Sequence, residues 1–202
     1  MKMLALTIAA AAALFAARPA TDTAVPPGDN TWKIDPVHSS VVFKVKHANA
    51  SWFYGTFTGI SGSLTLDADK PENGKVEVKI DAASIASRDD KRDQHLRSPD
   101  FFDAKQFPDI TFTSAKIKKT GDALQVDGEL KMRGEKKPLS LKVSKTGDGE
   151  FQGKRVGYET TFVVKRSDFG MNYGIAKNVL GDEVTVMIGI EAMLDAKPGP
   201  GK

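Results

Sequence analysis

The sequence predicts an all-β fold of about eight antiparallel strands with one short helix near residues 89–98. Two observations carry this expectation. Apolar and polar residues alternate with a period of two through most of the chain, the pattern of strands with one buried face. The turn motifs "DADKPENGK", "KTGD", "RGEKKP" and "KTGDGEFQGK" separate these runs. Such short connections make hairpins, so sequence neighbours pair antiparallel.

The chain opens with Lys2 and then a run from Leu4 to Ala17 that is apolar or small except for Thr7. A basic start and a run too short for a comfortable membrane span describe an export signal. Residues 1–20 are therefore read as a signal peptide, with cleavage between Ala16 and Ala24. The Pro/Gly/Asp stretch 21–30 is a linker, 31–196 is one domain, and 197–202 is a tail. The 202 residues carry 29 basic and 26 acidic side chains. Removing 1–20 takes away Lys2 and Arg18 and leaves 27 against 26. A nearly neutral protein offers no overall electrostatic case for nucleic acid or anionic lipid. There is no cysteine, which excludes disulfides, thiol nucleophiles, cysteine-bound zinc, thioether-linked haem and a lipid-modified N-terminal cysteine.

The strands follow in order. Val41, Phe43, Val45 and His47 share one face, with Lys44 and Lys46 on the other. "SWFYGTF", ending at Phe57, breaks the alternation with three aromatics in a row and suits a rim or a packed loop. Leu64 and Leu66 come next, then Val76, Val78, Ile80 and Ala82 against Lys75, Glu77, Lys79 and Asp81. Ile110 and Phe112 precede Leu124, Val126, Gly128, Leu130 and Met132. Leu139, Leu141 and Val143 form the next series, followed by Val156, Tyr158, Thr160, Phe162 and Val164. Val184, Val186, Ile188 and Ile190 form the last. Such a sheet folds into a sandwich or closes as a barrel, which abolishes its edges. Gly62, Ala82, Gly128 and Thr160 lie on the apolar face. Small inward residues either leave a barrel hollow or make space for phenylalanines in a solid core, and spacing does not choose between these.

Two segments read as non-strand, 86–108 and 166–183. The first contains "RDQHLRSPDFFDAKQFPDITF". Asp89 or Asp90 can cap a helix there, Asp93 and Arg97 can pair four residues apart, and Ser98 before Pro99 stops it. With Phe101 and Phe102 following, the segment reads as a plug over one end of a barrel. An enzyme reading would make His95 a general base beside Asp90, Asp93 or Asp100. His38, His47 and His95 show no metal-binding spacing, and Ser39 and Ser40 lie in no nucleophile elbow. No phosphate-binding glycine loop is present. His47, ending an apolar face at a rim, can hydrogen-bond a ligand head group or be satisfied by backbone carbonyls.

The stretches "WKIDPVHSSVVFKVKH", "GTFTGISGSLTLD", "RDQHLRSPDFFDAKQFPDITF" and "RSDFGMN", followed by "VTVMIGIEA", resemble the YceI-like family of exported bacterial lipid-binding proteins over about Thr31 to Leu194. The resemblance implies an extended, lipocalin-like β-barrel in the periplasm, hollow, and holding a polyisoprenoid, an isoprenoid quinone or a fatty-acid derivative. It implies no catalysis, no cofactor, no metal, no stable membrane span, and a homodimer. It also makes the His95 segment a structural helix beside the barrel. It carries no residue-by-residue site. The expected ligand-lining set comes instead from the inward stripes and the aromatic pair: Val41, Phe43, Val45, His47, Phe57, Leu64, Val76, Val78, Ile80, Phe101, Phe102, Phe112, Val126, Leu130, Leu141, Tyr158, Phe162, Val186 and Ile188. The rival expectation is an enzyme acting on such a lipid with His47 or His95 as acid or base.

Overall fold

Every alternating run becomes a strand in the structure, a computed structural model that describes residues 31–66 and 70–195. The expected signal peptide, linker and tail lie outside the described residues. The strands are β1 (Thr31–Ile34), β2 (Ser40–His47), β3 (Ser51–Phe57), β4 (Ile60–Thr65), β5 (Lys75–Asp81), β6 (Ile85–Ala86), β7 (Asp109–Thr120), β8 (Ala123–Met132), β9 (Glu135–Glu150), β10 (Lys154–Lys165) and β11 (Leu180–Leu194), with helix α1 (Asp90–Leu96) between β6 and β7.

The hydrogen-bonded order is β1-β4-β5-β7-β8-β9-β10-β11, and β11 returns to β1, so the sheet closes. The pairing of Trp32 with Leu194 and Ile34 with Ala192 makes the seam. Beyond it, β11 continues along β2, with Val186 opposite Phe43 and Ile188 opposite Val41. Three pairs, β1–β2, β3–β4 and β5–β6, are therefore single wall strands interrupted by a bend. Counted that way the wall has the expected eight strands, all antiparallel and in chain order.

The first bend is built by "DPVHS". The Asp35 carboxylate accepts the Val37 N–H at 2.9 Å, a local turn that Pro36 favours. The ladder is repaired by a side chain. Ser39 Oγ donates to the Glu191 carbonyl at 3.2 Å and accepts the Glu191 N–H at 3.1 Å.

The third bend opens the wall. β5 pairs with β7 as far as Asp81 opposite Asp109, but β6 then follows β3 only. Helix α1 and the turns after it fill the gap. Asp89 caps the helix by accepting the Arg92 N–H at 2.8 Å. The expected Asp93–Arg97 pair does not form. Asp93 is buried and accepts both the N–H and the hydroxyl of Ser87. Arg97 instead donates to the carbonyls of Ala83 at 2.7 Å and Ile85 at 3.0 Å. The strand that peels away leaves unpaired carbonyls, and a guanidinium with several fixed donors satisfies more of them than it could from a solvent-exposed ion pair.

Two inward glycines make room for aromatic rings against the wall. A Cβ at Gly128 would lie 2.4 Å from the Thr113 carbonyl oxygen and 2.7 Å from the Phe112 ring. One at Gly55 would meet the Phe43 ring at 2.3 Å. These glycines let a ring lie close against the strand. Gly128→Ala is expected to cost about 1–3 kcal/mol through overpacking against backbone, read as a lower urea midpoint with an unchanged m-value.

Candidate functional site: an apolar cavity with one polar mouth

The wall encloses a cavity of about 380 Å³, within the range of natural small-molecule sites. Every side chain in the ligand-lining set expected from the sequence faces it. Alternation placed those on strands there because a closed sheet has only two faces, while Phe101 and Phe102 reach it from the turns after α1. The packing differs along the axis. Leu64, Val156 and Ala192 are buried at one end, with Trp32, Leu66, Val76, Tyr158 and Ile190 packed on them. Along the tube, Phe43, Val78, Phe162, Val186 and Ile188 point inward yet stay only partly buried. In a filled core they would be covered. Their open surface is the wall of the void.

The lining is apolar except at a few points. Thr160 faces inward, but its hydroxyl donates to the Lys142 carbonyl at 2.9 Å. Burial raises the Tyr158 phenol above its ordinary pKa, and its hydroxyl has no hydrogen-bond partner among the described residues. Thr111 and Glu159 also border the cavity, and a cluster of polar groups gathers at the mouth: His47, Arg92, His95, Arg166 and Tyr173. His47 is exposed at the end of β2. Arg92 donates to the Ser87 hydroxyl at 2.8 Å and the Ser87 carbonyl at 2.6 Å, and its guanidinium lies 4.4 Å from the Phe53 ring centroid. His95 Nε2 is 2.8 Å from Asp100, and its ring stands edge-on to Phe101 and Tyr173 at 5.0 and 4.9 Å. Of the three carboxylates near His95 in sequence, Asp100 is the one it meets.

Sequence reasoning missed part of the mouth. Met171, Tyr173 and Val179 line it from the irregular segment after β10, where no periodicity marks a facing side, and Leu180 from the first position of β11. Buried Arg166 shapes that segment. It donates to the carbonyls of Gly181 at 2.7 Å, Met171 at 2.9 Å, Tyr173 at 2.8 Å and Leu180 at 3.1 Å. Arg133 ties the same region to the helix turns, through the Gly170 carbonyl at 3.0 Å and the Pro99 carbonyl at 2.7 Å.

At the first bend the carboxylates of Asp35 and Glu191 and the His38 ring come within 4.8 Å of one another, a donor set that could hold a metal ion. Arg155 already supplies the positive charge. Its guanidinium pairs with Asp35 at 2.9 Å and also with Glu191. The His38 ring nitrogen lies 2.8 Å from Asp35. The His38 hydrogen bond first, then Arg155 and the Val37 N–H, hold the Asp35 carboxyl well below the usual carboxylate range. A carboxyl depressed in the folded state stabilises the fold above its unfolded pKa, and that stability is lost as pH falls through the folded value. Asp35→Asn is therefore expected to lower Tm by several degrees at pH 7, with the deficit against the native protein narrowing below about pH 4. Thermal unfolding followed by circular dichroism across pH checks this.

Fold and cavity together define a closed antiparallel barrel with an apolar interior and a polar mouth. The comparisons with known proteins agree: the profile of the YceI-like domain matches residues 32–192. "Protein YceI" of Escherichia coli O6:H1 is 36% identical over 158 residues, covering 77% of this chain and 82% of that one. The crystal structure of Burkholderia cenocepacia BcnA superposes with a TM-score of 0.73 at 26% identity, over 79% of this chain and 99% of that one. A polyisoprenoid binding domain from Saccharophagus degradans shares the fold at a TM-score of 0.63 and 16% identity, over 81% and 98% of the two chains. The chain belongs to the YceI-like family. None of its described helices is long and apolar enough to cross a membrane.

Proposed function

We propose that the protein binds one long-chain amphiphilic lipid in the barrel and carries or sequesters it in the periplasm after export. The ligand class is a polyisoprenoid, an isoprenoid quinone or a fatty-acid derivative. The observation that supports this best is the row of inward side chains left partly uncovered around an apolar void. The name of the Saccharophagus relative points to the same ligand class.

The physics favours a chain over a compact ligand. Each methylene moved from water into the tube contributes roughly 0.8 kcal/mol. Ordering the chain and losing its free translation offset much of this. An apolar wall discriminates weakly between tails of similar width, so length and girth set the selection. The head group then sits at the mouth, where His47 is the first candidate to hydrogen-bond it. The side chains of the expected ligand-lining set become the contacts of the tail. The proposed form uses no cofactor or metal and does no chemistry on the lipid; it assembles as a homodimer, which gel filtration with light scattering reads directly.

The His95–Asp100 pair at the mouth favours one rival, an enzyme that uses His95 or His47 as acid or base on the bound lipid. Replacing both histidines with alanine separates the readings. The carrier retains most of its lipid and shows no altered product, whereas the enzyme loses turnover.

Protein purified without detergent is expected to release a long-chain lipid into an organic extract, identified by mass spectrometry. An extract no richer than that of an unrelated protein prepared in parallel would overturn the proposal. Val78→Arg and Phe162→Arg each place an unpaired charge in the tube and are expected to abolish loading or folding. A soluble arginine variant that still carries lipid would show that the tube is not where the tail lies.

A further inference from the structure

We infer that one lip of the mouth, formed by the β2–β3 hairpin and the segment 171–180, docks on an anionic lipid bilayer. The inference goes beyond cavity binding and is tested without any cavity ligand.

The lip is continuous. The Ala48 N–H donates to the Val179 carbonyl at 2.8 Å, and Leu180 pairs with His47. The outward side chains follow from the inward ones. Val45 and His47 line the cavity, so Lys44 and Lys46 face out; Phe53 lines it, so Trp52 and Tyr54 face out. The ladder sets Lys46 opposite Trp52 and Lys44 opposite Tyr54. Both ammonium groups lie over the Trp52 ring, 4.8 and 5.1 Å from its centroid. Trp52 and Tyr54 are nonetheless each 48% exposed. The second segment adds exposed Tyr173, Val179 and Lys177. The four hydrogen bonds of Arg166 hold that segment in place, so the surface is preformed.

Charge distribution selects the partner. The chain is close to neutral overall, which gave no case for anionic lipid, but its acidic residues avoid this lip. None occurs between Asp35 and Asp67, and none between Asp168 and Asp182. Asp182 is occupied by the N–H and hydroxyl of Ser167 at 2.9 and 2.8 Å, and Glu183 is exposed on β11 opposite Lys165. The helix segment packs beside this lip through His95 on Tyr173 and Arg92 over Phe53, and its Asp89, Asp90, Asp100 and Asp103 are matched there by Arg88, Lys91, Arg92 and Arg97. Half-exposed Trp and Tyr with flanking lysines match the bilayer interface, where amphipathic rings sit at head-group level and ammonium groups meet phosphates. A second copy fits less well, because a two-fold interface would bring the same lysines against each other. Docked this way, the mouth opens at the surface where a lipid tail would leave the bilayer.

The test uses the protein as recovered from expressing cells, with its N-terminus read by mass spectrometry. Co-flotation compares vesicles of phosphatidylglycerol and phosphatidylcholine with vesicles of phosphatidylcholine alone. Binding to the anionic vesicles that weakens with salt is expected. The Lys44→Glu/Lys46→Glu variant should bind about tenfold or more weakly. A Lys118→Glu/Lys119→Glu variant, altered at the other end of the barrel, should bind better than that lip variant; equal losses in both would overturn the inference. In a Trp32→Phe background Trp52 is the sole tryptophan, and its emission should shift to the blue on anionic vesicles. Should the double lysine variant not fold, Lys177→Glu and Trp52→Ser give the same readout singly. Trp52 emission unmoved by vesicles would overturn the inference. So would a shift that follows protein concentration without vesicles, which would assign the lip to a second copy.

Discussion

A wall that closes on itself does not need its centre filled, and this constraint governs the molecule. In an open sheet the stability comes from covering one face, so a void under that face is costly. Here the pairing of β11 with β1 and β2 closes the backbone ladder, and the wall parts only toward the mouth, where β6 leaves β7 and where β10 beyond Thr160 leaves β9. The seam is interrupted where the first bend separates β1 from β2. It is reinforced where it breaks: Ser39 substitutes for a backbone rung, and Arg155 bridges Asp35 and Glu191 across three strands. With the wall secured, side chains on its inner face can stop short of one another.

The two ends of the tube solve different problems. At one end Trp32, Leu64 and Val156 pack together and close it with apolar volume alone. At the other, a strand peels away and backbone groups lose their partners. Guanidinium groups satisfy backbone carbonyls around this end: Arg92 that of Ser87, Arg97 those of Ala83 and Ile85, Arg133 those of Pro99 and Gly170, and Arg166 those of Met171, Tyr173, Leu180 and Gly181. The arginines of this cluster are engaged with backbone carbonyls. What it leaves at the mouth is a set of side chains with capacity to spare, above all His47, and an outward rim of aromatic and basic residues.

Much of this was legible in the sequence, and the reason is geometric. Period-two alternation in a closed barrel has one meaning, so Val41, Phe43, Val78, Phe162 and Ile188 could be assigned to the interior without coordinates. Local rules narrowed the cap to Asp89 or Asp90, and the structure uses Asp89. The Asp93–Arg97 pair did not, because spacing along a helix says which groups can meet and not which competing partner, here Ser87 and the carbonyls of Ala83 and Ile85, satisfies them better. Arg155 with Asp35, and Met171 and Tyr173 at the mouth, left no pattern either, since each depends on segments far apart in the chain.

By itself the sequence determined the strand count, their order, their inner and outer faces and the place of the helix, because these are properties of neighbours along the chain. Whether the inner faces met or stood apart was decided only by the tertiary structure. That depends on how far the wall curves before β11 reaches β1, and on glycines such as Gly55 and Gly128 letting the Phe43 and Phe112 rings lie close against the strands. A residue's facing is local; the width of the space it faces is a sum over the whole wall.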